Sequence, residues 1–291
     1  PKIKEEYPHI IFIGEIYQPH IYRTFIYDGG FDYLYDKVGL YDTLRSVING
    51  RASANSITYA LQSTADIRNH MLTFLENHDE QRIASDFFAV SPQRAYAALI
   101  VSATTGIEPF MLYAGQELGE RGMDKEGYSG VDGRTTIFDY WSVQTMCRWN
   151  NSGKFNDEQL TETEKEIQSY YSKVLTLCNS ESALREGRFY DLQYANPCSK
   201  HYDSNRIYSY LRGTEDELIL IAVNFGDHES NTKICIPHEA FAYFSVYETE
   251  EKIKATELLT NHEQHIIFTP NKPLEINIPA NGGVILKIRI K

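Results

Sequence analysis

The 291-residue sequence lacks the features that mark disulfide-rich, zinc-binding and membrane proteins. Its four cysteines lie far apart and form no C-x-x-C pair, so neither a small disulfide framework nor a zinc knuckle is predicted. No apolar run reaches the roughly 20 residues that a membrane-spanning helix needs. The sequence also has no repeat at solenoid spacing and no low-complexity segment, which excludes a repeat architecture.

Basic residues are scarce as well. The 28 lysines and arginines are outnumbered by 40 acidic residues, which gives a net charge of −12. Because this charge repels phosphate backbones, no nucleic-acid partner is predicted, and a neutral or small-molecule ligand is favoured. The first residues resemble the middle of a domain rather than a signal peptide, so we expect any targeting segment to lie upstream.

Four short apolar runs divide the first 180 residues, and helical patterns follow them. The first run is continuous and ends at Gly14-Glu15, a pattern typical of a strand buried on both faces of a parallel sheet. Further along, Thr161 and Glu164 form a capping box, which predicts a helix start. Right-handed crossovers make such strand-then-helix units a parallel array. The four runs are Ile10–Ile13, Phe31–Tyr35, Met71–Leu75 and Pro109–Tyr113.

From about residue 183 the pattern changes to short strands that alternate between apolar and polar residues. The turn residues Asn281-Gly282-Gly283 predict a hairpin between the last two strands. We therefore expect a small antiparallel β-sandwich over residues 183–291. Its predicted strands include Arg206–Tyr210, Leu218–Val223, Leu274–Ile278 and Val284–Ile288.

Polar residues follow two of the predicted parallel strands. Glu15 comes directly after the first strand, and Glu76-Asn77-His78-Asp79 follows the third. In a parallel barrel the carboxyl ends of the strands form the active face. Carboxylates there suit glycosidic cleavage, which needs a protonated acid at the leaving oxygen and negative charge near an oxocarbenium-like transition state.

Three segments resemble, in order, the motifs of strands five, seven and eight of the α-amylase family of glycoside hydrolases. They are Phe12–Tyr17, Phe74–Asp79 and Gly106–Glu117, the last similar to G-x-P-x-x-Y-x-G-x-E. The resemblance implies that residues 1–182 are units five to eight of a (β/α)8 TIM barrel and that residues 183–291 are the family's terminal sandwich.

The same resemblance assigns expected roles to individual residues. Glu15 corresponds to the general acid/base, Asp79 to the carboxylate that stabilises the transition state, and His78 to the histidine that binds sugar hydroxyls. The substrate-binding set also includes Tyr17, Gln18 and Asn77. Arg82 is expected to pair with a barrel carboxylate. Loop 122–134 is expected to shape substrate subsites rather than bind calcium, because its spacing does not match an Asp-x-Asp-x-Asp-Gly loop.

The family's G-x-R-x-D motif, which supplies the nucleophile, and its D-x-x-x-N-H motif do not occur in these residues. The resemblance implies that both lie upstream, with the loop domain that often binds calcium; no cofactor or metal site is expected in residues 1–291. The predicted function is part of a retaining hydrolase of α-1,4-glucosidic bonds in starch or maltodextrin, inactive as this chain alone.

Two alternatives stay open: a non-catalytic glucan-binding or assembly protein, and a transglycosylase of the same family. Missing flanking strands would leave the sheet with two open edges, so self-association through those edges is expected. The sequence itself does not separate endo from exo cleavage.

Overall fold

The computed structural model describes residues 2–125, 131–138 and 140–290. No helix in these ranges is long and apolar enough to cross a membrane. The α-helices are α1 (Lys2–Glu6), α2 (Asp42–Ile48), α3 (Asn55–Ser63), α4 (Tyr96–Thr104), α5 (Gln144–Asn150), α6 (Glu162–Ser180), α7 (Ser182–Arg185) and α8 (His238–Phe244). The strands are β1 (Ile13–Gly14), β2 (Tyr33–Tyr35), β3 (Met71–Phe74), β4 (Phe110–Met111), β5 (Arg188–Asp191), β6 (Ile207–Gly213), β7 (Leu218–Asn224), β8 (Ser230–Ile234), β9 (Lys252–Glu257), β10 (His262–Ile267), β11 (Leu274–Ile278) and β12 (Gly283–Ile288).

The first four strands form one parallel sheet in the order β1-β2-β3-β4. Helical segments connect successive strands, so the predicted parallel array of strand-then-helix units is confirmed. Strand β3 is buried along its whole length and lies at the centre of this sheet. All four carboxyl ends therefore lie on the same edge, as a parallel arrangement requires.

The first strand differs from its prediction. Only Ile13–Gly14 is strand, and Ile10, Ile11 and Ile13 are 39%, 60% and 52% exposed. The expected burial on both faces is wrong for these isoleucines, because β2 is the only strand that pairs with β1 among the described residues. Gly14 is buried, and a Cβ atom there would lie 2.8 Å from Leu34 Cδ2.

The C-terminal part forms an antiparallel sandwich, as predicted. One sheet has six strands in the order β10-β9-β12-β7-β6-β5, and the other pairs β11 with β8. The predicted hairpin at Asn281 is wrong, because β11 pairs with β8 while β12 pairs with β7 and β9. Asn281 adopts a φ of 50°, and the turn carries the chain from one sheet to the other.

Helix α4 joins the two parts through a single core. Seven of its nine residues are buried, including Leu99, Ile100 and Val101. These residues belong to the same apolar cluster as Ile219 and Ile221 of β7. One face of the large sheet is therefore buried by the barrel segment rather than by the sandwich alone.

Helix α6 begins with the predicted capping box. The Thr161 hydroxyl accepts the Glu164 N–H at 3.2 Å, and the Glu164 carboxylate accepts the Thr161 N–H at 2.7 Å. Arg148 adds an ion pair with Glu164. Burial acts to raise the pKa of Glu164, but the hydrogen bonds from Arg148 and Thr161 outweigh it, so this pKa lies below its usual value.

Candidate active site

Three predicted site residues meet at the carboxyl edge of the parallel sheet. One carboxylate oxygen each from Glu15 and Asp79 and one ring nitrogen of His78 lie within 4.8 Å of one another. Glu15 follows β1 directly, and His78 and Asp79 lie in the turn after β3. The His78 and Asp79 side chains are 38% and 59% exposed, so a ligand can reach them from solvent.

Asn77 shapes the turn that presents Asp79. Its side-chain oxygen accepts the N–H groups of Asp79 at 2.9 Å and Glu80 at 2.8 Å. The residue is 2% exposed, and it therefore lies beneath the site. The amide oxygen of Asn77 is thus committed to the backbone of the turn, while its amide nitrogen is buried without a partner in the described ranges, and the substrate contact of Asn77 stays a prediction.

A buried ion pair anchors the same turn from below. Arg82 Nη1 donates to the Glu76 carboxylate at 2.7 Å, and Glu76 also accepts the Ile83 N–H at 2.7 Å. Both side chains are 2% exposed. The predicted pairing of Arg82 with a barrel carboxylate is confirmed. Burial raises the pKa of Glu76, and the Arg82 charge opposes this effect.

Arg82 also ties the turn to the segment after β4. Its guanidinium donates to the Thr135 hydroxyl at 2.7 Å and to the Ala114 carbonyl at 2.9 Å. The guanidinium carbon lies 4.1 Å from the centre of the Tyr113 ring, within cation–π distance. The turn that carries His78 and Asp79 is therefore held by contacts to two other parts of the barrel segment.

Tyr17 lies next to the candidate acid. Its hydroxyl donates to the Glu15 carboxylate, and the Lys37 ammonium lies 6.0 Å from the centre of its ring. Burial, the bond to Glu15 and the nearby carboxylates raise the pKa of Tyr17, so the phenol stays protonated and donates. Gln18 is exposed beyond Tyr17, and its backbone carbonyl accepts the Ile21 N–H at 3.1 Å.

Sequence reasoning missed Tyr35, the last residue of β2. Burial, followed by the charges of Glu15 and Asp79, raises the pKa of this phenol. Its ring packs 5.0 Å from Phe74, and its hydroxyl donates to Met111 Sδ at 3.5 Å. A signal was available, because Tyr35 ends a parallel strand between the strands of Glu15 and Asp79.

The acid after Asp79 is neutralised by its neighbours. Glu80 pairs with Lys37 at 3.1 Å and with Arg45 at 3.0 Å, and it accepts the Tyr41 hydroxyl at 3.1 Å. Within the described ranges, neither Glu15 nor Asp79 forms an ion pair with a lysine or arginine. The Lys37 and Arg45 charges on this edge are therefore directed to Glu80 rather than to Glu15 or Asp79.

Loop 122–134 reaches the site at its C-terminal end. Arg134 Nε donates to the Asp79 backbone carbonyl at 2.6 Å, and Arg134 also pairs with Asp132 at 2.9 Å. The expectation that this loop shapes substrate subsites depends partly on residues 126–130, which lie outside the described residues.

Comparison with known proteins gives a family for the C-terminal part and a fold for the whole chain. Residues 199–289 match the family model described as alpha amylase, C-terminal all-beta domain. A maltogenic α-amylase from Thermotoga neapolitana matches with 18% identity and a TM-score of 0.66, over 100% of this chain and 57% of that chain. The α-amylase-like fold that the resemblance implied is therefore confirmed.

Two further solved structures share this α-amylase-like fold. An α-amylase from Geobacillus thermoleovorans complexed with acarbose is 17% identical, with a TM-score of 0.66 over 99% of this chain and 55% of that chain. An acarbose-soaked debranching enzyme from Nostoc punctiforme is 17% identical, with a TM-score of 0.60 over 97% and 51%. The chain thus spans little more than half the length of these relatives. No curated protein matches the sequence.

Proposed function

We propose that this α-amylase-like chain is the acid-bearing part of a retaining hydrolase of α-1,4-glucosidic bonds in starch or maltodextrin. The convergence of Glu15, His78 and Asp79 within 4.8 Å is the observation that supports this proposal most directly. Acarbose in the complexed relatives supports an oligosaccharide ligand for this fold.

The chemistry of each group follows from its surroundings. Glu15 protonates the leaving oxygen, and the Tyr17 hydroxyl fixes the orientation of its carboxyl group. The Asp79 carboxylate lies beside the oxocarbenium-like transition state and stabilises it, and His78 donates to a sugar hydroxyl. Asn77 acts as a positioning residue, because its oxygen holds the two N–H groups that set the direction of the Asp79 side chain.

The spacing of the carboxylates restricts the mechanism. An inverting acid/base pair is about 6.5–9.5 Å apart, because a water molecule must fit between them. Oxygens of Glu15 and Asp79 lie within 4.8 Å, so these two carboxylates are too close to form an inverting pair with each other. A retaining mechanism needs a nucleophile, and the resemblance assigns it to a G-x-R-x-D aspartate that residues 1–291 do not contain. The proposal therefore includes inactivity of this chain alone.

Ligand binding tests the site without relying on turnover. We expect the chain to bind acarbose in calorimetric titration, and His78→Ala or Asp79→Asn to weaken binding by about tenfold or more. Glu166→Gln, at an exposed carboxylate on α6, is the matched control and should leave affinity unchanged. Equal affinity in all four proteins would remove the carboxyl edge from ligand binding.

Activity is tested after joining the chain to an upstream segment that carries a G-x-R-x-D motif. We expect hydrolysis of an unactivated maltooligosaccharide with retention, and Glu15→Gln should lower turnover by about 10²–10⁴-fold. Hydrolysis by the 291-residue chain alone, abolished by Asp79→Asn, would contradict the proposal and make Asp79 the nucleophile.

A non-catalytic glucan-binding role is the second candidate, because the exposed His78 and Asp79 side chains of this chain suffice for binding a sugar. It predicts that acarbose binds while the joined protein neither hydrolyses nor transfers maltosyl units. Longer oligosaccharide products in the same assay would instead identify a transglycosylase.

A further inference from the structure

A second cavity lies at the opposite end of the parallel sheet from Glu15 and Asp79. It is bounded by α3, by the segments that precede β3 and β4, and by β5 of the large antiparallel sheet; we call it the interdomain groove. Its volume is about 850 Å³, within the range of about 300–1,000 Å³ typical of ligand pockets. Asn69 precedes β3, whose far end carries His78 and Asp79, and Ile107 precedes the neighbouring strand β4.

One wall of the interdomain groove is aromatic and accessible. Tyr190 and Tyr243 lie 5.3 Å apart between ring centres, and the Tyr190 hydroxyl shares a hydrogen bond of 2.6 Å with that of Tyr194. Tyr194 is 63% exposed and Tyr243 is 39% exposed. Arg188 lies 4.5 Å from the centre of the Tyr243 ring and holds it in place. Such rings offer both an apolar face and a polar rim.

Two arginines that line the groove each have a buried guanidinium N–H without an acceptor in the described ranges. These groups are Nε of Arg68 and Nε of Arg212. The other guanidinium nitrogens of Arg212 are satisfied by the carbonyls of Thr104, Leu184 and Gly187. Buried donors of this kind are rare in folded proteins unless water or a ligand supplies an acceptor.

The charges around the groove nearly cancel. Arg68, Arg188 and Arg212 contribute three positive charges, while Glu186 and Asp191 in the lining contribute negative charge. Arg68 is further neutralised by its ion pairs with Asp36 and Glu108. A strongly anionic ligand would find no surplus of positive charge here. The groove thus combines aromatic rings, guanidinium N–H groups without acceptors and a small net charge. This combination favours a neutral ligand that carries many hydroxyl groups.

We propose that the interdomain groove is a second binding site for an α-1,4-linked glucan chain, separate from the carboxyl edge. Sugar rings lie on Tyr190 and Tyr243, and sugar hydroxyl groups bond, directly or through water, to exposed polar groups of the groove such as the Tyr194 hydroxyl. This inference rests on the proposed function, since both sites bind the same class of ligand. When one part of a long glucan binds in this groove, the rest of the same molecule stays close to the carboxyl edge. Its local concentration there is therefore higher than that of free glucan.

Maltoheptaose titration by calorimetry tests the groove on the full 291-residue chain. We expect two sites per chain. Tyr243→Ala and Tyr190→Ala should weaken binding at the interdomain groove by about tenfold or more. Neither variant should change binding at the carboxyl edge, which His78→Ala weakens. Tyr247→Ala, at a tyrosine that is 90% exposed and outside the groove, is the matched control and should leave both sites intact. Circular dichroism of each variant verifies that the sheet is folded.

The outcomes separate this inference from the proposed function. Binding lost in His78→Ala but unchanged in both tyrosine variants overturns the groove and leaves the carboxyl edge standing. Binding lost only in the tyrosine variants overturns the carboxyl edge and supports the groove. Equal binding of a β-1,4-linked cellohexaose at the groove overturns its assignment to α-glucans, and absence of any maltoheptaose binding overturns both proposals.

Discussion

Removal of the Arg82 guanidinium should destabilise the barrel segment far more than removal of an arginine from the surface. In Arg82→Ala the Glu76 carboxylate, 2% exposed, loses its only ion-pair partner among the described residues. Thr135 and the Ala114 carbonyl lose their donors as well. Breaking a buried pair on one side costs about 3–5 kcal/mol, because an uncompensated charge remains inside.

Arg121 provides the matched control. It pairs with Asp86 at 3.0 Å, the same type of contact, but its side chain is 57% exposed and that of Asp86 is 56% exposed. An exposed pair of this kind contributes about 0–1 kcal/mol, because water solvates both charges after the pair is broken. The two variants therefore compare one interaction in two surroundings.

Urea unfolding monitored by tryptophan fluorescence measures the difference. Both tryptophans, Trp141 and Trp149, lie before α6, so the signal reports on the N-terminal part. We expect Arg82→Ala to lower the free energy of unfolding by about 3–5 kcal/mol, against about 1 kcal/mol or less for Arg121→Ala. The double variant Arg82→Met/Glu76→Leu should regain stability relative to Arg82→Ala, because no unpaired charge remains. Equal, small losses in the two single variants would refute the reasoning.

Three further predictions address the strand edge, the interior near Glu15 and the capping box. Gly14→Ala should destabilise the fold by about 1–3 kcal/mol in urea unfolding, because its new methyl group meets Leu34; an unchanged midpoint would contradict the close approach. Glu164→Gln should lower the free energy of unfolding by about 1–2 kcal/mol at pH 7. This difference should begin to shrink as the pH falls past about 4.3, the pKa of Glu164 in the unfolded chain. It should be gone once the pH is below the lower pKa that Glu164 has in the folded protein. A constant difference between Glu164→Gln and the unchanged protein at all pH values would exclude the ionised cap. Sedimentation should show association that strengthens with concentration and weakens in Ile11→Lys, since Ile11 is 60% exposed beside an edge strand; a monomer at all concentrations would count against edge pairing.

Strong local patterns predicted much of the fold. Apolar runs that end in polar residues marked the parallel strands, and the capping box at Thr161 marked the start of α6. Such features depend on neighbouring residues, so they can be read without knowledge of distant contacts. The position of Glu15 and Asp79 at strand ends also followed, because parallel strands place all their carboxyl ends on one edge.

Other features depended on contacts between distant residues, which no local pattern contains. The apolar run at Ile10–Ile13 indicated burial, but burial requires a neighbour, and β1 has only β2 beside it within the described ranges. The turn at Asn281 has hairpin residues, yet β11 and β12 pair with different partners. Packing of α4 against β7 likewise makes the large sheet depend on the barrel segment, a contact that neither sequence pattern contains.

The candidate site shows the same division. Sequence alone determined which residue types stand at the strand ends, and the family resemblance supplied their expected roles. Only the tertiary structure decided that Asn77 lies beneath the turn, that Arg82 pairs with Glu76, and that Tyr35 lies beside both carboxylates. Chemical identity is a property of each residue, whereas burial and proximity are set by which distant segments pack together, and those contacts exist only in the folded chain.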